Sequence, residues 1–166
     1  LRQYDRVWLT TYGDGPLGFV EVGNVLPQHQ PTYGQEMLAI FGDGRIGLRS
    51  GTARMGSKDE VLIEMQWEMY EASSEDVFVH AFDCGGNLLG MSDGPPLGRM
   101  FPFWLWMDGE RARDVRRISI ADWPTDGCVR VEVGLFDVNS GARVAVRGTD
   151  GMEMNNHVLV LNVVKD

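Results

Sequence analysis

Apolar and polar residues alternate along two stretches of the chain. In residues 61–70 and again in residues 129–135, every second position is apolar and the positions between are mostly polar. A period of two indicates a β-strand with one dry and one wet face, as antiparallel sheets allow. The dry faces consist of Ile63, Met65, Trp67 and Met69 in the first strand and Val129, Val131, Val133 and Leu135 in the second.

Residues 158–164 are apolar at nearly every position. This pattern predicts a central strand, or one covered on both sides, that closes the core. No ten residues carry an apolar stripe at helical spacing with caps, and the weak helix candidates are residues 32–40 and 73–76. We therefore expect very little helix.

Turn-forming residues separate the predicted strands at short intervals. Glycine, asparagine and aspartate tolerate positive φ, and proline presets φ where a chain reverses. This spacing predicts an all-β fold, an antiparallel β-sandwich of jelly-roll or carbohydrate-binding-module type. The turns are Gly13–Pro16, Gly42–Gly44, Gly85–Asn87, Asp93–Pro96, Asp108–Gly109 and Asn139–Gly141.

The segment Gln28–Pro31 separates two predicted amino-terminal strands, residues 6–11 and 19–26, from the rest of the chain. We therefore divide the chain into residues 1–40, amino-terminal strands that belong to a preceding region, and residues 41–166, the β-sandwich domain. The chain begins at Leu1 without a charged and apolar leader, so we expect it to be processed or cut from a longer protein.

Composition narrows the class of partner. The chain has 166 residues and a formal net charge of -9, which repels phosphate backbones and anionic lipids. The arginines are scattered along the sequence, so nucleic acid is not an expected partner. The apolar runs are shorter than the roughly 20 residues of a membrane-spanning helix. Any membrane attachment would come through a fused segment that is absent here.

Three glycines, Gly42, Gly44 and Gly47, satisfy the spacing of a dinucleotide-binding loop. That loop must open a helix, and the residues after Gly44 are not helix-forming, so a hairpin turn explains the glycines better. His29 and His157 are too far apart in sequence from the third histidine for zinc-ligand spacing. His80 alternates with two phenylalanines, which predicts an aromatic strand face and a satisfied ring nitrogen. We assign no catalytic residue, no metal site and no cofactor.

Asp83, Asn87 and Asp93 offer oxygen atoms of the kind that Ca²⁺ prefers. The spacing of an EF-hand is absent, and an aspartate near glycine is commonly a turn former, so we prefer the second interpretation. Cys84 follows one predicted strand and Cys128 begins another. If these strands are antiparallel neighbours, a disulfide is feasible; two free thiols are the alternative.

One ordered set of residues resembles a known domain. The strongest pieces are the strand Val77–His80, the turn from Trp106 to Glu110 and the strand Val133–Asp137. The remaining members of the set are Asp83, Gly86, Asp93, Pro95, Pro96, Pro102, Asp114, Gly141 and Arg143. The set resembles the carboxyl-terminal β-sandwich domain of bacterial multi-spanning membrane glycosyltransferases, relatives of the protein O-mannosyltransferases.

The resemblance covers residues 46–164, and residues 4–9 resemble the strand that precedes the domain in such proteins. It implies an extracytoplasmic location, and transfer chemistry in a membrane portion that is absent here, so it carries over no catalytic residue. Phe103–Leu105, Cys84 and Cys128 depart from the family's usual pattern.

Tryptophans near turns suggest a sugar site. Indole faces stack on sugar rings while carboxylates bind hydroxyls, so we name Trp104, Trp106, Asp108 and Glu110 as candidate ligand-binding residues. The alternative places Trp106 in the core, and Trp104 would share its fate if the segment is extended. For Trp123 the alternative to sugar stacking is a packed turn.

Two functions remain open. In the first, the chain is a noncatalytic, extracytoplasmic accessory domain of a membrane glycosyltransferase and binds a glycan or a lipid-linked sugar. In the second, it is a structural or assembly subunit of a larger extracellular or membrane-associated complex. It would dock through sheet edges and its aromatic rim, onto another protein or onto its own copies.

Overall fold

The computed structural model describes residues 7–10, 19–23, 37–56, 59–99 and 101–164. The predicted turn at 13–16, the boundary segment 28–31 and His29 lie outside them, as does most of the weak helix candidate 32–40. The division of the chain near residue 40 therefore stays a prediction.

The described chain is all-β, as the alternation and the turns predict. Eleven strands are described: β1 (Val7–Thr10), β2 (Phe19–Gly23), β3 (Ala39–Phe41), β4 (Ile46–Met55), β5 (Glu60–Met69), β6 (Glu75–Asp83), β7 (Leu88–Met91), β8 (Arg111–Ser119), β9 (Val129–Asp137), β10 (Val146–Gly148) and β11 (Leu159–Val164). In these ranges the longest helical segment is the single turn α1 (Pro96–Arg99), and residues 73–76 are not helical. No helix of the described residues is long and apolar enough to cross a membrane.

The strands pair in the order β1-β2-β8-β5-β4-β11-β9-β6-β7, and β3 pairs with both β4 and β10. The pairs are antiparallel except β4 with β11. Strand β11 pairs with β9 through residues 159–162 and with β4 through residues 163–164. It is therefore central, as predicted, and joins two layers of strands.

Between the layers lies one core. The odd-numbered residues of β5, from Val61 to Met69, are buried, as are the odd-numbered residues of β9 from Val129 to Leu135 and Val77, Val79 and Ala81 of β6. Burying about ten such side chains, at roughly 1.5–3 kcal/mol each relative to exposure, is a leading favourable term of folding. Strand β11 is covered on one face only, because Val160 and Val164 are exposed.

The glycines with dinucleotide-loop spacing form a hairpin, as the sequence interpretation preferred. Residues 42–44 make one 3₁₀ turn between the antiparallel strands β3 and β4. Gly42 and Gly44 have φ of 54° and 95°, a region that glycine enters without steric cost. Strand β4 follows directly, so no helix opens at this loop.

Candidate functional site

The loop between α1 and β8 carries an exposed tryptophan next to buried aromatic side chains. Residues Phe103–Leu105 form a 3₁₀ turn. Phe103 is fully buried and meets the ring of Trp67 edge-on at 5.7 Å between centroids. Trp104 is 61% exposed and its neighbour Leu105 is 43% exposed. We call residues 101–110 the aromatic turn.

Trp106 is also part of the aromatic turn, but its side chain is buried. Its ring stacks on Phe101 at 5.4 Å, and its Nε1 donates a hydrogen bond of 2.8 Å to the Phe101 carbonyl. The sequence analysis placed Trp104 and Trp106 on one face only if the segment is extended, and that condition is not met, because residues 103–105 form a 3₁₀ turn. In a 3₁₀ turn, residues two apart point in different directions.

The two carboxylates of the aromatic turn also differ in exposure to solvent. Asp108 is exposed, whereas Glu110 is 2% exposed and its Oε2 accepts a hydrogen bond of 2.8 Å from the Met107 amide. Burial raises the pKa of the Glu110 carboxyl, against the lowering effect of the Met107 amide. Of the four candidate ligand-binding residues, the structure therefore leaves Trp104 and Asp108 accessible and buries Trp106 and Glu110.

Backbone contacts fix the aromatic turn to the end of β5. The Gly109 amide donates to the Met69 carbonyl at 2.7 Å, and the Met69 amide donates to the Glu110 carbonyl at 2.9 Å. Trp123, the third tryptophan considered, is half-buried against the core. This position agrees with the packed-turn interpretation.

Arg116 ties the loop of residues 92–97, which precedes the aromatic turn, to β8. Its guanidinium donates to the Asp114 carboxylate at 2.9 Å and to the carbonyls of Ser92, Gly94 and Pro95 at 2.6, 3.0 and 3.1 Å. Asp114 is fully buried and also accepts the Leu97 amide at 3.1 Å. These charges sit on the inward face of β8, so they hold the loop over the core.

Arginines gather on the outer face of β4, β5 and β8, although the sequence suggested that they were scattered. Glu60 pairs with Arg117 at 3.0 Å, and Glu64 pairs with Arg113 at 2.7 Å and Arg54 at 3.4 Å. Glu68 pairs with Arg111 at 3.0 Å and with Arg49. The period-two spacing of residues 111, 113 and 117 was the signal in the sequence, and β4 completes the face only in three dimensions.

A groove lies where the loop after β7 meets the outer side of β8. Its volume is about 610 Å³, and it is lined by Met91, Ser92, Asp93, Pro95, Val115, Arg116 and Arg117. Met91 and Val115 are exposed apolar residues. The groove was not predicted, because its lining comes from two segments that are distant in sequence.

The predicted position of His80 is confirmed. Its ring lies between Phe78 and Phe82, at 5.2 and 6.2 Å between centroids, and its Nε2 is 3.0 Å from Asp93 Oδ2. Asp93 Oδ1 also accepts the Val79 amide at 3.1 Å. The ring nitrogen is therefore satisfied.

Asp83 behaves as the turn former that the sequence suggested. It accepts the backbone amide and the side-chain amide of Asn87, both at 2.7 Å, which lowers the pKa of Asp83. Asp93 instead contacts His80 and Val79. Within the described ranges, no three His, Cys, Asp or Glu residues form a group that could hold a metal ion.

Cys84 and Cys128 form a disulfide with 5.6 Å between their Cα atoms. Strands β6 and β9 are antiparallel neighbours, and Asp83 pairs with Val129, so the two cysteines meet at one end of the sheet. This outcome matches one of the two alternatives from the sequence. It agrees with an oxidising compartment but does not by itself assign one.

Comparison with known proteins found no family model and no curated protein that matches the chain. The relation to membrane glycosyltransferases therefore stays a prediction that rests on the residues quoted above.

Proposed function

We propose that the chain is a noncatalytic accessory domain that lies outside the cytoplasm and serves a membrane glycosyltransferase. In this proposal the aromatic turn binds a glycan or the sugar of a lipid-linked donor. The observation that carries it is the exposure of Trp104, 61%, on a turn whose neighbouring rings are buried. An indole that is mostly exposed adds little to the core and offers a flat face for a sugar ring.

The roles of the family-like residues support a noncatalytic domain. Trp106 and Glu110 brace the aromatic turn, and Asp114 anchors the preceding loop through Leu97 and Arg116. The described hydrogen bonds of these side chains are made with neighbouring backbone or with a buried partner. These three residues of the family-like set therefore have structural roles in this fold.

The disulfide supports the proposed location. Paired cysteines persist in oxidising compartments and are rare in the cytosol. The net charge of -9 disfavours anionic polymers as ligands, whereas neutral sugars carry no such penalty.

The test is a glycan array probed with the oxidised 166-residue chain, followed by isothermal titration calorimetry with each glycan that binds. Trp104→Ala should lose binding at least about tenfold, as expected when a stacking ring is removed. Trp104→Phe should retain part of the affinity. Met152→Ala, at a residue 68% exposed elsewhere, is the matched control and should bind as the wild type does.

Unfolding in urea should show that Trp104→Ala is as stable as the wild type, because an exposed side chain adds little to the core. An array without any signal, or binding that survives Trp104→Ala, would refute the sugar-binding role.

A further inference from the structure

The strands β11, β9, β6 and β7 pair in that order and form one layer. Strand β7 is the last strand of this layer and pairs with β6 alone among the described strands. Natural edge strands are usually blunted by charges, proline or a covering segment, because an open row of backbone groups can pair with another chain. Residues Cys84–Ser92 contain no charged residue, in a chain of which 23% is charged. The edge therefore lacks the usual charges that prevent pairing.

A bulge places the two exposed side chains of β7 on one face. Met91 pairs with His80 and Leu88 pairs with Phe82, and the register shifts between these pairs. His80 and Phe82 share a face of β6, so Met91 and Leu88 lie on that same outer face. They are 57% and 47% exposed, while Leu89 packs against the core. Without the extra residue, Leu88 and Met91 would point to opposite faces.

We infer that β7 pairs antiparallel with β7 of a second copy of this chain, about a two-fold axis. In such a pair Leu88 of one copy lies opposite Met91 of the other, twice. Opposite residues in an antiparallel pair point to the same face. The bulge is what makes this edge complementary to itself, since it gives both residues the same orientation.

Charge favours a second copy at this edge over other surfaces of the same chain. Two molecules of net charge -9 repel each other, so a strand without charged residues is a more favourable place for them to meet than a charged surface. The same register places Asn87 opposite Ser92, an uncharged polar pair at each end. The four-stranded layers of the two copies would join into one sheet of eight strands. Leu88 and Met91 of both copies would form an apolar row across the two-fold axis on its outer face.

The interface is short, so the association is weak and depends on concentration. The experiment is sedimentation velocity of the oxidised 166-residue chain from low to high micromolar concentration, at low and at high salt. The apparent mass should rise towards twice the monomer mass, and more readily at high salt, because salt screens the repulsion between copies. Hydrogen exchange of residues 88–91 should slow as concentration rises.

Met91→Lys and Leu88→Lys should each weaken the dimer by at least about tenfold, since each places charges on both sides of the dyad. Both side chains are exposed, so the monomer should stay folded. Met152→Lys is the matched control for an added charge, and Trp104→Ala separates this interface from the aromatic turn. A monomer at every concentration, or a dimer that persists in both lysine variants, would overturn the inference. The outcome is independent of whether the chain binds sugar.

Discussion

Arg116 shows how a buried cation is used for structure. It is 7% exposed, yet one carboxylate and three carbonyls at 2.6–3.1 Å satisfy its guanidinium. Five N–H donors in a rigid fork can serve several acceptors at once, which lysine cannot do. The loop from Ser92 to Leu97 is thereby fixed to β8, and the aromatic turn follows from that loop.

We predict that Arg116→Met lowers the free energy of unfolding by about 3–5 kcal/mol, because it leaves the buried Asp114 carboxylate without its partner. Arg117→Met, one residue further on, removes an exposed ion pair with Glu60 and should cost within about 1 kcal/mol. Urea unfolding measures both.

The double variant of Asp114→Asn and Arg116→Met should be less destabilised than the sum of its single variants, since asparagine can still accept the Leu97 amide without a buried charge. Additive losses, or equal losses for Arg116→Met and Arg117→Met, would contradict this account of the pair.

Glu110 makes stability depend on pH in a defined direction. Burial raises its pKa above the ordinary 4.5, so between these two values the folded chain binds more protons than the unfolded chain. The free energy of unfolding therefore falls as pH rises through that window, and the penalty is absent below the ordinary pKa. Glu110→Gln should gain stability relative to wild type at neutral pH, and the gain should vanish in acid.

Glu64 provides a control of opposite sign. Its hydrogen bond to Arg113 lowers the pKa of Glu64, so its contribution is present above the ordinary pKa and is lost as pH falls through the lowered value. Glu64→Gln should thus be less stable than wild type at neutral pH and equal to it in strong acid. Urea unfolding across pH gives both differences; the same sign for both variants would refute the assignment.

At the scale of elements, periodicity located strands where one face meets the core. Residues 61–70 and 129–135 were predicted, and β5 spans Glu60–Met69 and β9 spans Val129–Asp137. Strand β8 departs from the usual pattern at its centre, where Asp114 and Arg116 face inward and Val115 is 41% exposed. Here the covering loop supplies partners for buried charge, which a period-two pattern does not show.

Strand β11 illustrates a second limit of pattern. Its nearly continuous apolar run predicted a central strand or one covered on both sides; the strand is central, but Val160 and Val164 are exposed. The strand instead passes from pairing with β9 to pairing with β4, so it serves both layers in turn. A run of apolar residues indicates centrality in a sheet but does not say which faces are covered.

For the whole molecule, the disulfide closes a loop with a sequence separation of 44, which contains β7, the aromatic turn and β8. Cross-linking such a loop reduces the entropy of the unfolded chain. We predict that Cys84→Ser with Cys128→Ser lowers the free energy of unfolding by about 2–4 kcal/mol.

Reduction of the wild type should give the same loss, and a reducing agent should leave the double variant unchanged. Urea unfolding under both conditions measures this. Wild-type stability that does not respond to reduction would show that the cross-link adds nothing to the fold.

The sequence by itself determined the class of fold, the main strands, the hairpin at Gly42–Gly44 and the satisfied His80, because these follow from local periodicity, turn chemistry and neighbours along one strand. The tertiary structure alone decided that Trp104 is exposed while Trp106 is buried, that Arg116 holds the loop, that arginines share an outer face and that Leu88 and Met91 point the same way. Each of these depends on how a loop closes or on how distant strands register, and a burial pattern along one strand does not contain that information.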